Sequence, residues 1–177
     1  CDSRRQRQMC IRDSLSIDPE LIIKSDEEHF NEGLKVLLRL TNNSLNVSTK
    51  PSSTIKKLDL ENLFYYEFDG PHPVGLVGTQ IHNISPASLS NQIWTIGYQD
   101  VLMIGKLFKT GLLDNTKKIA LSGPMVKDPT MIISENGANL DEILDGKTTG
   151  ENNRIISGSV LNGSESKACL LYTSPSP

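Results

Sequence analysis

The sequence predicts a mixed α/β (α+β) chain in two parts, and three observations lead there. Residues 26–40 carry an amphipathic helical stripe followed at once by the alternating stretch Leu45-Asn46-Val47-Ser48-Thr49. Helix and strand in such close succession belong to a layered α/β domain. Residues 98–110 repeat the helical pattern and stop at Gly111. Beyond residue 115 the texture changes to short strands, glycine and proline turns and one short helix, which suggests a small β-grasp-like unit.

The two ends are expected not to belong to the fold. The stretch Arg4-Arg5-Gln6-Arg7-Gln8-Met9-Cys10-Ile11-Arg12-Asp13-Ser14 reads as one translated frame of a transposase-type sequencing adaptor. Residues 169–177 resemble the reverse complement of its partner. A basic nucleic-acid arm or an amphipathic targeting peptide is the alternative for the first stretch, and neither accounts for the second. Residues 1–14 and 168–177 are therefore read as adaptor-derived and set aside.

That exclusion changes the composition. Cys1, Cys10 and Cys169 all fall in the excluded ends, so residues 15–167 offer no disulfide framework and no cysteine-based metal site. Four of 18 basic and two of 21 acidic residues drop out, leaving 14 against 19, a net charge of −5. No basic stripe remains, so nucleic acid is not an expected partner. About 150 residues suffice for one ordinary core or two small ones. No apolar run approaches the roughly 20 residues of a membrane span. With no initiator methionine, the segment is expected to be an internal piece of a longer protein.

Element by element, Asp18-Pro19 within residues 15–23 argues for an extended or turning connector. Ser25-Asp26-Glu27-Glu28 reads as a capping box with Ser25 at the N-cap. Phe30, Leu34, Leu37 and Leu38 then form one stripe of a helix over residues 26–40, closed by Asn42-Asn43. Residues 45–49 are a strand, 51–62 a polar loop, and the aromatic run of residues 63–68 a strand. Residues 79–84 and 93–96 are expected as strands on either side of a turn at 85–91. In the helix of residues 98–110, Val101, Ile104 and Phe108 form one face, widened by Leu102 and Leu107. Gly105 in its middle reads as a close helix–backbone approach, with a ligand-contact role as the alternative. Residues 117–127 read as strand, turn, strand, residues 130–133 as a strand, and Leu140, Ile143 and Leu144 as one side of a short helix. A further strand and glycine turn are expected at 154–161, and a soft domain boundary near Asn115-Thr116.

The densest segment is residues 67–82, with three glycines, two prolines and two of the three histidines in sixteen residues. Proline fixes φ and glycine opens φ above zero, so such a run holds a specific shape. A metal reading of His72 and His82 with Asp69 and Glu67 would need a third ligand. The other reading has His72 hydrogen-bonding inside a rigid turn and His82 on a strand face. His29 reads as a solvated surface residue, and Asp141, Glu142 and Asp145 as a solvated face. Trp94, Tyr98 and Phe108 read as core packing, with a ring-ligand pocket as the alternative. There is no phosphate loop, no nucleophile elbow and no dinucleotide fingerprint, since Gly75-Leu76-Val77-Gly78 lacks the GxGxxG turn.

The run Phe68-Asp69-Gly70-Pro71-His72-Pro73-Val74-Gly75-Leu76-Val77-Gly78-Thr79-Gln80-Ile81-His82 resembles a signature of the A subunit of the Na+-translocating NADH:quinone oxidoreductases. Blocks in residues 94–111, 120–129, 137–144 and 154–161 resemble that family in the same order, as does the helix around Gly33-Leu34-Lys35-Val36-Leu37. The resemblance covers nearly all of residues 15–167. It implies a peripheral, quinone-associated subunit on the cytoplasmic side of a bacterial inner membrane, in a complex that couples NADH oxidation and ubiquinone reduction to Na+ export. It implies that NADH, flavins and an iron–sulfur centre sit on other subunits, and that membrane subunits and quinone are partners. No catalytic, cofactor or metal residue is implied here. Gly70, Pro71, His72, Pro73, Gly75, Gly78 and His82 are implied as a structural, quinone-proximal loop. The implied fold is the later part of a Rossmann-like domain (residues 15–115) followed by the start of a β-grasp domain (residues 116–167). The sequence departs from the family at Val74, Gln80 and Asn83. Two alternatives remain open at this stage. One is a related electron-entry subunit, of the type of the C subunit of the Rnf complex or the complex I flavoprotein; the other is a free-standing small-ligand-binding β-grasp protein.

Overall fold

The computed structural model describes residues 17–41, 44–70, 73–150, 153–158 and 164–166. Asn42, Asn43, Pro71, His72, residues 151–152 and 159–163 and the two chain ends lie outside the described residues. Among the described residues the architecture is mixed α/β with three two-stranded sheets. The chain divides into two units, one spanning Asp18–Asp114 and the other containing the described residues from Asn115 on.

The first unit opens with a helix where the sequence suggested a connector. Helix α1 spans Pro19–Lys24, with Asp18 as N-cap accepting a hydrogen bond from the Glu20 backbone N–H at 3.2 Å. Proline at the first helical position lacks only a donor that would be unpaired anyway, so Pro19 starts the helix rather than blocking it. Ser25 is then the C-cap of α1, its hydroxyl donating to Ile22 O at 2.8 Å, and not the N-cap of the next helix. That role falls to Asp26, without a side-chain capping bond.

Helix α2 spans Glu27–Leu40 and buries Phe30, Gly33 and Leu34. Strand β1 (Leu45–Thr49) pairs in parallel with β2 (Leu63–Glu67), Leu45 opposite Leu63 and Thr49 opposite Glu67. Parallel strands need a crossover of about a dozen residues, usually helical. Here residues 50–62 cross without a helix. They are held by Glu20, which accepts from the Thr54 hydroxyl at 2.9 Å, and by the Tyr65 hydroxyl, which accepts from Leu58 N at 3.0 Å.

Helix α3 (Val77–Ile84) stands where a strand was expected from residue 79. The β-branched residues of Thr79-Gln80-Ile81-His82-Asn83-Ile84 suggested extension, but the buried positions Val77 and Gln80 are three apart, which is helical spacing. Residues 93–96 form no strand; Trp94 is 92 % exposed, so it is not core. Helix α4 spans Tyr98–Thr110 and stops at Gly111, whose φ of +75° is the left-handed turn that glycine tolerates. Val101 and Leu102 are buried, whereas Phe108, expected on the packed face, is exposed.

The core of this unit is the crossing of α2 and α4. Phe30, Leu34, Val101 and Leu102 meet Ile22 and Ile23 there, each side chain worth roughly 1.5–3 kcal/mol when fully buried. The backbones touch at two glycines. A Cβ on Gly105 would lie 1.8 Å from His29 O, and one on Gly33 would lie 2.1 Å from Val101 O. The mid-helix glycine at 105 is therefore explained by close approach.

In the second unit β3 (Thr116–Leu121) pairs antiparallel with β4 (Thr130–Glu135), Thr116 opposite Glu135. The second strand expected within residues 117–127 reduces to one bridge, Val126 to Thr148. The short helix α5 (Leu140–Leu144) starts at Asn139, whose side chain accepts from Asp141 N at 3.1 Å, and it buries Leu140. Asp141, Glu142 and Asp145 are exposed, as expected of a solvated face. Strands β5 (Ile156–Ser157) and β6 (Ser164–Glu165) pair antiparallel.

Candidate functional site

The segment singled out from the sequence lies between β2 and α3, at the carboxyl end of the parallel pair. In open α/β sheets that end is where ligands bind. Phe68 N still donates to Thr49 O at 3.0 Å, extending the ladder by one residue. The chain then turns. Asp69 Oδ1 accepts from Gly70 N at 2.8 Å, and Gly70 has a φ of +125°, which only glycine adopts readily. Pro73 O accepts from Leu76 N at 2.8 Å, closing a tight turn at the helix entry.

Gly75 is buried, Leu76 is the extended N-cap residue, and Val77 is only 1 % exposed. Gln80, in the next turn, is also buried and folds its amide back so that Nε2 donates to Val74 O at 3.3 Å. Its Oε1 is buried and lacks a hydrogen-bond partner among the described residues, as does Thr49 Oγ1 at the end of β1. Asn31 Oδ1 is a third such atom among the described residues.

The predicted site residues therefore separate. Gly70, Pro73 and Gly75 shape the loop, and Gly78 and His82 lie on α3. His82 is exposed in the last turn of that helix, not on a strand. Gly78 faces open space, with no atom within 4 Å of a Cβ placed there. Among the described residues no three His, Cys, Asp or Glu side chains gather as a metal site would require.

A charged cluster that sequence reasoning missed lies at the start of α2. Asp26 pairs with His29 and, at 3.1 Å, with Lys106 of α4; Lys106 also reaches Asp114 at 2.9 Å. His29 is consequently half-buried and paired, not the solvated residue expected. Burial opposes the charge on Asp26, but hydrogen bonds from His29 and Lys106 outweigh it and hold the carboxyl below its ordinary value. The hydrogen bond to Asp114 raises Lys106 above its own, against burial and with help from Asp26. The three-residue spacing of Asp26 and His29 was visible in the sequence. The partner eighty residues away was not. Such a cluster ties elements together, and nothing beside it suggests chemistry.

Two family models match the chain in order. One, described as the NqrA second alpha/beta domain, matches residues 9–113, and one described as the NQRA C-terminal domain matches residues 118–168. The first match includes residues 9–14 of the stretch set aside above. Curated relatives agree. The A subunit of the Na(+)-translocating NADH-quinone reductase of Histophilus somni (strain 129Pt) is 44% identical over 149 residues, covering 84% of this chain and 33% of the relative. That of Serratia proteamaculans (strain 568) is 45% identical over the same coverage. That of Yersinia pestis bv. Antiqua (strain Angola) is 44% identical over 158 residues, covering 89% of this chain and 35% of the relative. The chain spans about a third of the length of the curated relatives it matches. With both of its units matched in sequence order, the chain belongs to the NqrA family, the A subunits of the Na(+)-translocating NADH-quinone reductases.

Proposed function

We propose that this chain is part of a subunit that serves a sodium-translocating NADH:quinone reductase without itself carrying redox groups. The observation that carries the reading is the ordered match of both units to NqrA, at 44% identity across most of the chain. In this reading residues 15–115 are the later part of a Rossmann-like domain and residues 116–167 the start of a β-grasp domain. NADH, flavins and the iron–sulfur centre belong to other subunits, ubiquinone is the electron acceptor of the assembly, and nucleic acid has no part. The chain sits peripherally on membrane subunits at the cytoplasmic side of a bacterial inner membrane. Consistent with that placement, no helix among the described residues is long and apolar enough to cross a membrane.

Gly70, Pro71, His72, Pro73, Gly75, Gly78 and His82 would then be a shape-holding segment beside the quinone route. Its support is its place at the carboxyl end of a parallel strand pair.

The test uses the full-length protein. Expressed in a bacterium lacking its own NqrA, it should restore Na+-dependent NADH:quinone reductase activity to membrane vesicles. A full-length protein that binds its own flavin and iron–sulfur cluster would instead indicate an electron-entry subunit. One that stays partnerless in the soluble fraction would indicate a free-standing binding protein.

A further inference from the structure

Helix α3 buries two side chains, Val77 at 1% exposure and Gln80 at 3%. This chain alone supplies that cover, and further length of a longer protein only adds to it. An apolar side chain of the same size would fill the place of Gln80 with no polar atoms to satisfy. Glutamine is mostly an exposed residue, so its choice here needs a reason other than packing.

Hydrogen bonding satisfies only half of it. Nε2 donates to Val74 O at 3.3 Å, six residues back in the chain. Oε1 is buried with no partner among the described residues. Desolvating an unmatched acceptor costs more than one neutral hydrogen bond returns. Gln80 therefore weakens the fold relative to an apolar residue of its size.

What the amide does is hold a loop carbonyl. Gly70 bends the chain at φ +125°, and Leu76 N closes the next turn on Pro73 O at 2.8 Å. Between these two backbone fixtures, the Gln80 amide reaches back from the helix and fixes Val74. Local rules broken at the expense of stability are expected where function needs a set geometry.

We infer that Gln80 is a positioning residue for quinone, holding the turn of residues 73–76 in the shape that receives the substrate. It acts through Val74 and not by touching quinone. The inference rests on the reading of the segment from Gly70 to His82 as bordering the quinone route.

The experiment uses membranes of a bacterium lacking its own NqrA, complemented with the full-length protein. NADH and a short-chain, water-soluble ubiquinone are varied separately. Gln80→Met keeps the length and fill of the side chain and removes the amide. It should raise the quinone KM about fivefold or more and leave the NADH KM unchanged. The unfolding temperature of the purified full-length protein should hold or rise. An unchanged quinone KM overturns the inference, and so does a fall in unfolding temperature, which marks a purely structural side chain. Gln80→Asn, one methylene too short to reach Val74 O, should raise the quinone KM as Gln80→Met does; a KM like that of the unmodified protein overturns the inference. Gly70→Val distorts the loop by a separate route, since a β-branched residue resists that φ. If Gly70→Val raises the quinone KM and Gln80→Met does not, this inference alone fails. If neither does, the reading of the segment as quinone-proximal fails and this one falls with it.

Discussion

Replacing Gly105 by alanine would put a methyl group where the backbone of α2 already lies. The added Cβ would meet His29 O at 1.8 Å and Gly33 N at 2.8 Å, while ordinary contact begins near 3.4 Å. Neither obstacle is a side chain that can swing away, so the helices must part by about 1.6 Å along that line. Overpacking of this kind costs about 1–3 kcal/mol, and rigid neighbours favour the upper end. Alanine recovers about 1 kcal/mol through its better helix propensity. The net loss is about 2 kcal/mol, or roughly 8–16 °C in the melting temperature of a unit this size. Gly78→Ala reverses the sign, since nothing lies within 4 Å of the new Cβ and the position is helical. It should gain about 0.4–1 kcal/mol by restricting the unfolded chain. Urea and thermal unfolding of the full-length protein, followed by circular dichroism, would measure both. A Gly105→Ala protein as stable as the original would refute the close crossing of α2 and α4.

Three further outcomes follow. Asp26, held below its ordinary value of 3.8, contributes stability that is present above that pH and lost as pH falls through its lowered folded-state value. Lys106, raised above 10.5, contributes stability that is present below that pH and lost as pH rises through its raised value. Lys106→Met should therefore flatten both limbs of a stability–pH profile, and an unaltered profile would dismiss the cluster as inert. Asp18→Ala should cost about 1 kcal/mol by removing the cap of α1, with Asp18→Ser restoring most of it in chemical denaturation. Residues 15–167 purified alone should show no cooperative thermal transition, given the exposed Phe108, Leu112 and Leu113 and the isolated parallel pair β1–β2. A single sharp transition would argue against that expectation.

Local signals carried much of the fold. The stripe of Phe30 and Leu34 and the stop at Gly111 located α2 and α4 closely, because period and punctuation act within a few residues. Gly105 even announced the crossing. Two errors came from reading one residue class too strongly. Pro19 reads as a breaker, yet Asp18 before it makes it a helix start, and α3 is helical by the spacing of Val77 and Gln80 despite its β-branched residues. At the candidate site the turn chemistry of Gly70 was legible, whereas the unused acceptors of Thr49 and Gln80 were not. They depend on which elements surround them, as does the pairing of Lys106 with Asp26. Trp94 differs for the opposite reason: hydrophobicity alone does not tell a core side chain from an exposed one.

The glycine contact between α2 and α4 joins residues about 70 positions apart. A ribosome adding about 5–20 residues per second needs on the order of 4–14 seconds to make that stretch. Until α4 follows it out of the ribosome, α2 lacks the helix against which Phe30 and Leu34 are buried. The new chain passes through that interval with this apolar face uncovered, and slow codons between the two helices would lengthen it.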